Sequence, residues 1–338
     1  MSIVTASFSP DGQILVTGSL SGHLVEWDGR TGERRRVLLD PEGREDDNPR
    51  VVYVEKGVEV EAPFQLVRLS EYMRGSSILC VCFSPDGTKL AVGAANGVVV
   101  LWNAECRGEL WYWIDHDGRH SVDALAISPD NRWLAVGSEE DGIDSLRVFR
   151  LREEPPPEAV QAFACDRHVC GVSSVCFSPD SRTLVAGGFM LSGYTGPFIY
   201  DLEAGKRTGS LLYDMTRSLA YSPDGRLIAT GDDFGTLKIW DAAARTQLFE
   251  ATAHAKQVGV LLFSPDGRRL ATGGRDGSVT VWDVETRKPL VEHRCDDAVV
   301  AFHFGGGGGD LSVATAADKA PAPEVHVVRI GVAGQHPE

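Results

Sequence analysis

Short apolar runs rich in Val, Ile, Leu and aromatic residues alternate with polar, turn-forming stretches along nearly the whole chain. Leu15-Val16-Thr17, Leu90-Ala91-Val92 and Leu270-Ala271-Thr272 are such runs, and Ser278-Val279-Thr280-Val281-Trp282 is another. Runs this short, bounded by turn residues, predict strands rather than helices. The punctuation between them repeats. Ser-Pro-Asp followed by Gly, Asn or Ser occurs six times, behind the lead residues Phe8, Phe83, Ile127, Phe177, Tyr221 and Phe263. In each copy proline presets a φ angle, aspartate bonds to nearby amides, and glycine, where present, relieves the strain of closing. The lead residues lie 75, 44, 50, 44 and 42 positions apart. A period of about forty residues marks one supersecondary unit repeated, with stacked neighbours completing a core that no single unit can bury.

Each unit closes its third strand on an aromatic: Trp27-Asp28, Trp102-Asn103, Phe149-Arg150, Tyr200-Asp201, Trp240-Asp241 and Trp282-Asp283. The aromatic falls 19 positions after the lead residue in four units, and 22 and 23 in the units led by Ile127 and Phe177, whose loops are longer. The turn, the strand period and the Trp-Asp ending together resemble the WD40-repeat family over nearly the whole chain. The resemblance implies an all-β fold, a seven-bladed WD40 β-propeller of four-stranded antiparallel blades, the seventh degenerate. That seventh unit is Phe302-His303-Phe304, Gly305 to Gly309, Leu311 to Thr315 and Val325 to Val328, and it begins 39 positions after Phe263.

A single domain over residues 1–338 accounts for the chain, with an insertion at about residues 40–75 between the first two blades. After an outer strand Glu33 to Leu39, the insertion is polar from Pro41 to Arg50. It regains strand character in Val51 to Val54 and Phe64 to Leu69. A structureless loop of that length is uncommon in a compact domain, so it reads as a surface hairpin or as a docking element, with equal weight. The start matters too, because Ser2 to Phe8 already reads as an inner strand. The outer strand of the last blade must then come from Gly331 to Glu338, or its edge is unpaired, or the sequence is truncated.

The net charge of −15 argues against a nucleic-acid partner, which needs clustered Lys and Arg. Arg34-Arg35-Arg36 reads as a solvated strand edge rather than a basic patch. Seven cysteines include Cys82 and Cys176 beside lead aromatics, where small apolar side chains pack well, and Cys80-Val81-Cys82 has no second pair to hold zinc. Reduced thiols suggest the cytoplasm, with the nucleus left open. No secretion signal and no long apolar span is present, so no membrane is expected. Neither a cofactor nor an enzyme signature is indicated.

The family resemblance also assigns residues. A His before the inner strand, a Ser or Thr on the second strand, a turn Asp and the Trp form a buried chain in such blades. Only the sixth unit has all four: His254, Thr272, Asp276 and Trp282. A catalytic use of His254 and Asp276 is the minor reading. The fourth unit keeps His168 but has Ala186 and Tyr200. The fifth has Leu212 and Phe234 in the His and Asp places, and the first has Thr17, Ser21 and Trp27. By the same resemblance, contact residues lie six and four places before the lead residue and just before the turn Asp. They are Ser121 and Asp123, Met215 and Arg217, Gln257 and Gly259, Asp296 and Ala298, with Asp233 and Arg275 from the turns. Arg and Met are common at interfaces, which favours Met215, Arg217 and Arg275.

These features point to a non-catalytic scaffold or adaptor for other proteins, a monomeric propeller within a larger complex. The alternative rests on Trp27-Asp28-Gly29-Arg30, which resembles the Trp-Asp-x-Arg sequence of WD40 substrate receptors of cullin-RING ubiquitin ligases. A propeller enzyme is the lesser alternative.

Overall fold

Six four-residue turns of one kind set the frame. In the computed structural model, residues 2–41, 50–54, 67–68, 75–104, 110–114, 120–138, 145–151, 158–163, 171–189, 197–211, 215–316 and 324–332 are described. They form seven antiparallel blades of a β-propeller, and among them there is no helix, so none long and apolar enough to cross a membrane. Blade one runs Ile3–Phe8, Ile14–Ser19, Leu24–Asp28 and Arg34–Leu39. The inner strands of blades two to seven are Ile78–Phe83, Val122–Ile127, Gly171–Phe177, Ser218–Tyr221, Val258–Phe263 and Ala298–Phe304.

The core repeats one layer. In every blade the lead residue pairs in register with an aliphatic residue of the second strand: Leu15, Leu90, Leu134, Leu184, Ile228, Leu270 and Leu311. All seven are fully buried. The terminal aromatic of the third strand, such as Trp27 or Trp282, pairs with the same aliphatic from its other side. Hydrophobic clusters then join adjacent blades. Leu24 and Val16 of blade one pack with Leu90 and Trp102 of blade two, and Phe8, Leu15 and Trp27 pack with Ala301, Ala314 and Val325 of blade seven. Burial of apolar surface between neighbours closes the ring.

The turn itself depends on its serine, to which the sequence reading gave no role. Ser9 Oγ donates to Asp11 Oδ1 at 2.6 Å and accepts from the amide of Ile14 at 3.0 Å, while the Gly12 amide bonds to the Ser9 carbonyl. The same serine-to-aspartate bond recurs at Ser84, Ser128, Ser178, Ser222 and Ser264, at 2.5–2.6 Å. The fourth residue takes a left-handed φ of 58–73°, which explains Gly in four copies and small polar Asn131 and Ser181 in the others. Adjacent turns lie close, since a Cβ added at Gly87, Gly225 or Gly267 would come into contact with Pro10, Pro179 or Pro223 respectively.

Serine hydrogen bonds hold Asp11, Asp180, Asp224 and Asp266 below the usual carboxylate range, aided by backbone amides. For Asp86 and Asp130, partial desolvation pushes upward and is outweighed by the same bonds. Because the folded values lie below the unfolded one, this stabilisation is fully present above about pH 3.8 and lost as pH falls through the folded values. The Asp266→Asn variant should therefore lose stability less steeply than wild type below about pH 4 in urea titrations. Identical slopes would show that the carboxylate does not sense its serine.

Blade seven corrects the register read from the sequence. Phe304, not Phe302, pairs with Leu311 and precedes the turn, so it is the lead residue, 41 positions after Phe263. The third strand runs Val325–Gly331, and Ile330 takes the place of the missing terminal aromatic. Gly305 to Gly308 reproduce the backbone of Ser-Pro-Asp-Gly: the Gly308 amide bonds to the Gly305 carbonyl, and the Gly305 amide to the Asp310 carbonyl. Only Gly308 of these four has positive φ, and a Cβ at Gly305, Gly306 or Gly307 would meet nothing closer than ordinary contact. Replacing them by Ser, Pro and Asp should raise stability by about 1–2 kcal/mol, by restricting the unfolded chain and restoring the serine bond. An unchanged or lowered melting temperature would count against this account of the turn.

The described part of blade seven has three strands, with Val325–Gly331 at its edge; residues 333–338, considered above for a fourth strand, lie outside the described residues. The insertion is a hairpin, but not a free one. Arg50–Val54 pairs antiparallel with Val67–Arg68 and parallel with the outer strand Leu110–Ile114 of blade two, making a six-stranded sheet. Asp40, read as the first insertion residue, belongs to blade one, where His23 Nε2 lies 3.4 Å from its carboxylate.

Candidate functional site

In antiparallel blades the first and third turns lie on one rim, and the second turns and blade-to-blade connections lie on the other. The serine turns occupy the first rim and tie it together. The opposite rim carries the sixth-blade network and every contact residue named from the sequence.

Blade six brings its four residues together with a fifth, Ser278. Trp282 Nε1 donates to Thr272 Oγ1 at 3.2 Å, and Thr272 Oγ1 lies 2.8 Å from His254 Nε2. His254 Nδ1 lies 2.6 Å from Ser278 Oγ, which donates to Asp276 Oδ1 at 2.6 Å. Asp276 itself is 3.7 Å from the imidazole, so the serine bridges them. Gly274 leaves the room: a Cβ there would overlap both Asp276 Oδ1 and the His254 ring. Burial pushes His254 below its usual pKa, with Asp276 opposing weakly. Burial pushes Asp276 upward, and bonds from Ser278, its amide and the Ala255 amide outweigh it. His254 is buried, and both of its ring nitrogens are engaged within the blade.

Other blades solve the same problem differently. In blade five Trp240 Nε1 donates to Thr230 Oγ1 at 3.0 Å, and Asp232 closes the turn by accepting from the amides of Phe234 and Thr236. Asp232 stands two places before the expected position, where blade six has Gly274, and was missed for that reason. In blade one Trp27 Nε1 donates to Thr17, while Ser19, Ser21 and His23 form a chain that reaches Asp40. Tyr200 of blade four is fully buried; His168 and Leu212 lie outside the described residues. The described cysteines Cys80, Cys82, Cys176 and Cys295 are free thiols, and burial pushes Cys82 and Cys176 up to about 12, which favours the protonated form.

Of the contact residues, Met215, Arg217, Asp233, Gln257 and Arg275 gather on blades five and six. Arg217 Nε donates to both oxygens of Asp233, at 2.9 and 3.0 Å. The Arg275 amide bonds to the Gln257 carbonyl, and its side chain is exposed. Asp123 stands apart on blade three, at a β-bulge, accepting from Ser121 Oγ at 2.8 Å. Gly259 is the corresponding bulge residue of blade six. With the corrected register, Ala298 and Val300 replace Asp296 and Ala298 in blade seven. Phe234, 72 % exposed, and Met215, 40 % exposed, are exposed large apolar residues on this rim of blades five and six.

Two arginines of the basic triplet are paired with carboxylates within blade one. Arg36 Nε donates to the buried Glu26 at 2.7 Å, and Arg35 bonds to Asp28 at 2.6 Å. That bond and two backbone amides hold the Asp28 carboxyl well below its ordinary range. Asp28 is thus occupied inside Trp27-Asp28-Gly29-Arg30, whose Arg30 is exposed on the turn rim, since the Gly29 amide bonds to the Gln13 carbonyl.

Repeated four-stranded blades with buried Trp–Thr bonds define a β-propeller of WD repeats. The family model described as "WD domain, G-beta repeat" matches residues 1–28, 67–103, 109–143, 160–189, 213–241 and 245–283, and the chain belongs to that WD40 family. It is similar to WD repeat-containing protein SL1-17 of Schistosoma mansoni, 26% identical over 234 residues, covering 68% of this chain and 62% of that protein. It is also similar to small ribosomal subunit protein RACK1 of Candida albicans, 33% identical over 116 residues, 32% of this chain and 33% of that one. The periodic tryptophan protein 2 homolog of Dictyostelium discoideum is 24% identical over 342 residues, covering 73% of this chain and 37% of its own. The chain thus spans less than two thirds of the length of each of these relatives.

Proposed function

We propose that this chain is a non-catalytic scaffold that docks other proteins, as one cytoplasmic propeller within a multiprotein complex. The observation that carries the reading is the asymmetry of the two rims. The serine turns lock one rim through buried hydroxyls, whereas the other gathers Phe234, Met215 and Arg275 at the surface of blades five and six. Exposed aromatic, Met and Arg side chains are the residue types that anchor interfaces. One relative supports membership of an assembly, by its name as a small ribosomal subunit protein. Geometry gives no support to catalysis at His254, because both ring nitrogens are committed within the blade.

A tagged chain and two variants would test this. Met215→Asp with Arg275→Glu should remove specific partners from affinity purifications without changing the melting temperature. Arg226→Glu, on the turn rim, should retain them. Equal loss with both, or with neither, would move the docking surface elsewhere.

A further inference from the structure

We propose that the rim of blades five and six binds an acidic linear peptide carrying an apolar anchor residue, an inference that rests on the docking reading above. Phe234 is the starting point. Its turn is closed by Asp232, which accepts the Phe234 and Thr236 amides at 2.9 and 2.7 Å, so the turn makes no use of the phenyl ring. Single exposed apolar residues are ordinary, but this one has a built surround. The Gly235 carbonyl accepts from the amides of Ala253 and His254, which sets Phe234 beside the connection that carries Lys256 and Gln257. The Arg275 amide bonds to the Gln257 carbonyl, which adds Arg275 to the same patch.

The charges decide the partner. Lys256 and Arg275 are exposed, and among the described residues neither side chain has a hydrogen bond or ion pair. Arg217, Arg35, Arg36 and Arg132, by contrast, are committed to Asp233, Asp28, Glu26 and Asp130. Two uncommitted cations beside an exposed aromatic locally complement a segment with carboxylates around a Leu, Phe or Trp. An RNA strand could stack a base on Phe234, but backbone binding needs clustered cations. The two cations here suffice for one or two carboxylates but do not make a stripe that could track a phosphate backbone.

The test is selection of a phage-displayed library of random short peptides on the whole chain, followed by anisotropy titration of the most enriched peptide. Enriched sequences should combine Asp or Glu with an apolar residue. Affinity should fall about tenfold or more with Phe234→Ala and with Lys256→Glu plus Arg275→Glu. Exchanging the peptide acids for Lys should restore binding to the charge-reversed variant. Binding lost with Phe234→Ala but insensitive to charge reversal overturns the acidic peptide and leaves the docking surface standing. Peptides insensitive to Phe234, Met215, Lys256 and Arg275, or no enrichment at all, overturn both. Oligouridylate binding that displaces the peptide and is lost with the charge-reversed variant overturns the peptide in favour of RNA.

Discussion

A chain in which residues 41–72 are replaced by a short Gly-Ser linker will fold but self-associate. Shortening the connection costs little, since loop closure changes by about 0.6 kcal/mol per doubling of length. The inner strands of blades one and two also form without it. What the change removes is the cover over blade two. Arg50–Val54 pairs in parallel with Leu110–Ile114, from Leu110 opposite Val51 to Trp113 opposite Val54. That outer strand reads Leu-Trp-Tyr-Trp-Ile, with no charge. The outer strands Arg34–Leu39, Glu158–Phe163, Lys206–Ser210, Gln247–Thr252 and Pro289–Arg294 all carry charged residues. Charges on an edge strand discourage pairing with another chain, and an uncharged aromatic edge invites it. Sedimentation should show concentration-dependent dimers or larger species with a strand-rich circular dichroism spectrum. Adding Tyr112→Lys to the shortened chain should restore the monomer. A shortened chain that stays monomeric at high concentration would show that the hairpin protects nothing, and one that unfolds would place the hairpin in the core.

The repeat was legible because each blade solves the same packing problem with the same residues. Phe8, Leu15 and Trp27 recur as a register that any unit can be laid upon, and the blade count follows from it. The role of the turn serine was available in the same six copies, yet Pro, Asp and Gly have familiar turn chemistry and absorbed the attention. Blade seven was misregistered by two residues because the glycines after Phe304 carry no side-chain signal. Only the hydrogen bonds of Gly305 and Gly308 show where the turn begins. The insertion showed its strands through apolar runs but not their partner, since pairing with Leu110–Ile114 joins segments separated by the three inner strands of blade two. Ser278 was hidden for a different reason. The family pattern filled its position with Asp276 as the histidine's partner, and a serine two residues later looked like any strand residue.

That serine makes the blade-six network the other large expected effect. Ser278 O–H donates to the Asp276 carboxylate, so its oxygen receives the proton of His254 Nδ1. His254 Nε2 is then an acceptor for Thr272 O–H, whose oxygen receives the Trp282 indole proton. Every donor points toward the one charged group, and the neutral imidazole is the form the chain requires. His254→Ala removes the acceptor of the Thr272 hydroxyl and the donor to Ser278 Oγ from a buried site, which should cost about 1–3 kcal/mol. That should lower the melting temperature by roughly 2–4 °C per kcal/mol or somewhat less for this length. Ser278→Ala should cost less, because Asp276, already 3.7 Å from Nδ1, can move onto it. Acid sharpens the contrast. The folded His254 pKa is depressed, so its contribution is fully present above about pH 6.5 and lost as pH falls through the folded value. Half-buried His303, beside Phe8, is depressed by burial as well and adds a slope of the same sign. Wild type should therefore lose stability as pH falls below about 6.5, and His254→Ala should show a shallower loss to which His303 still contributes. A His254→Ala protein with the wild-type melting temperature and the wild-type pH slope would show that the chain of five side chains does not hold the blade.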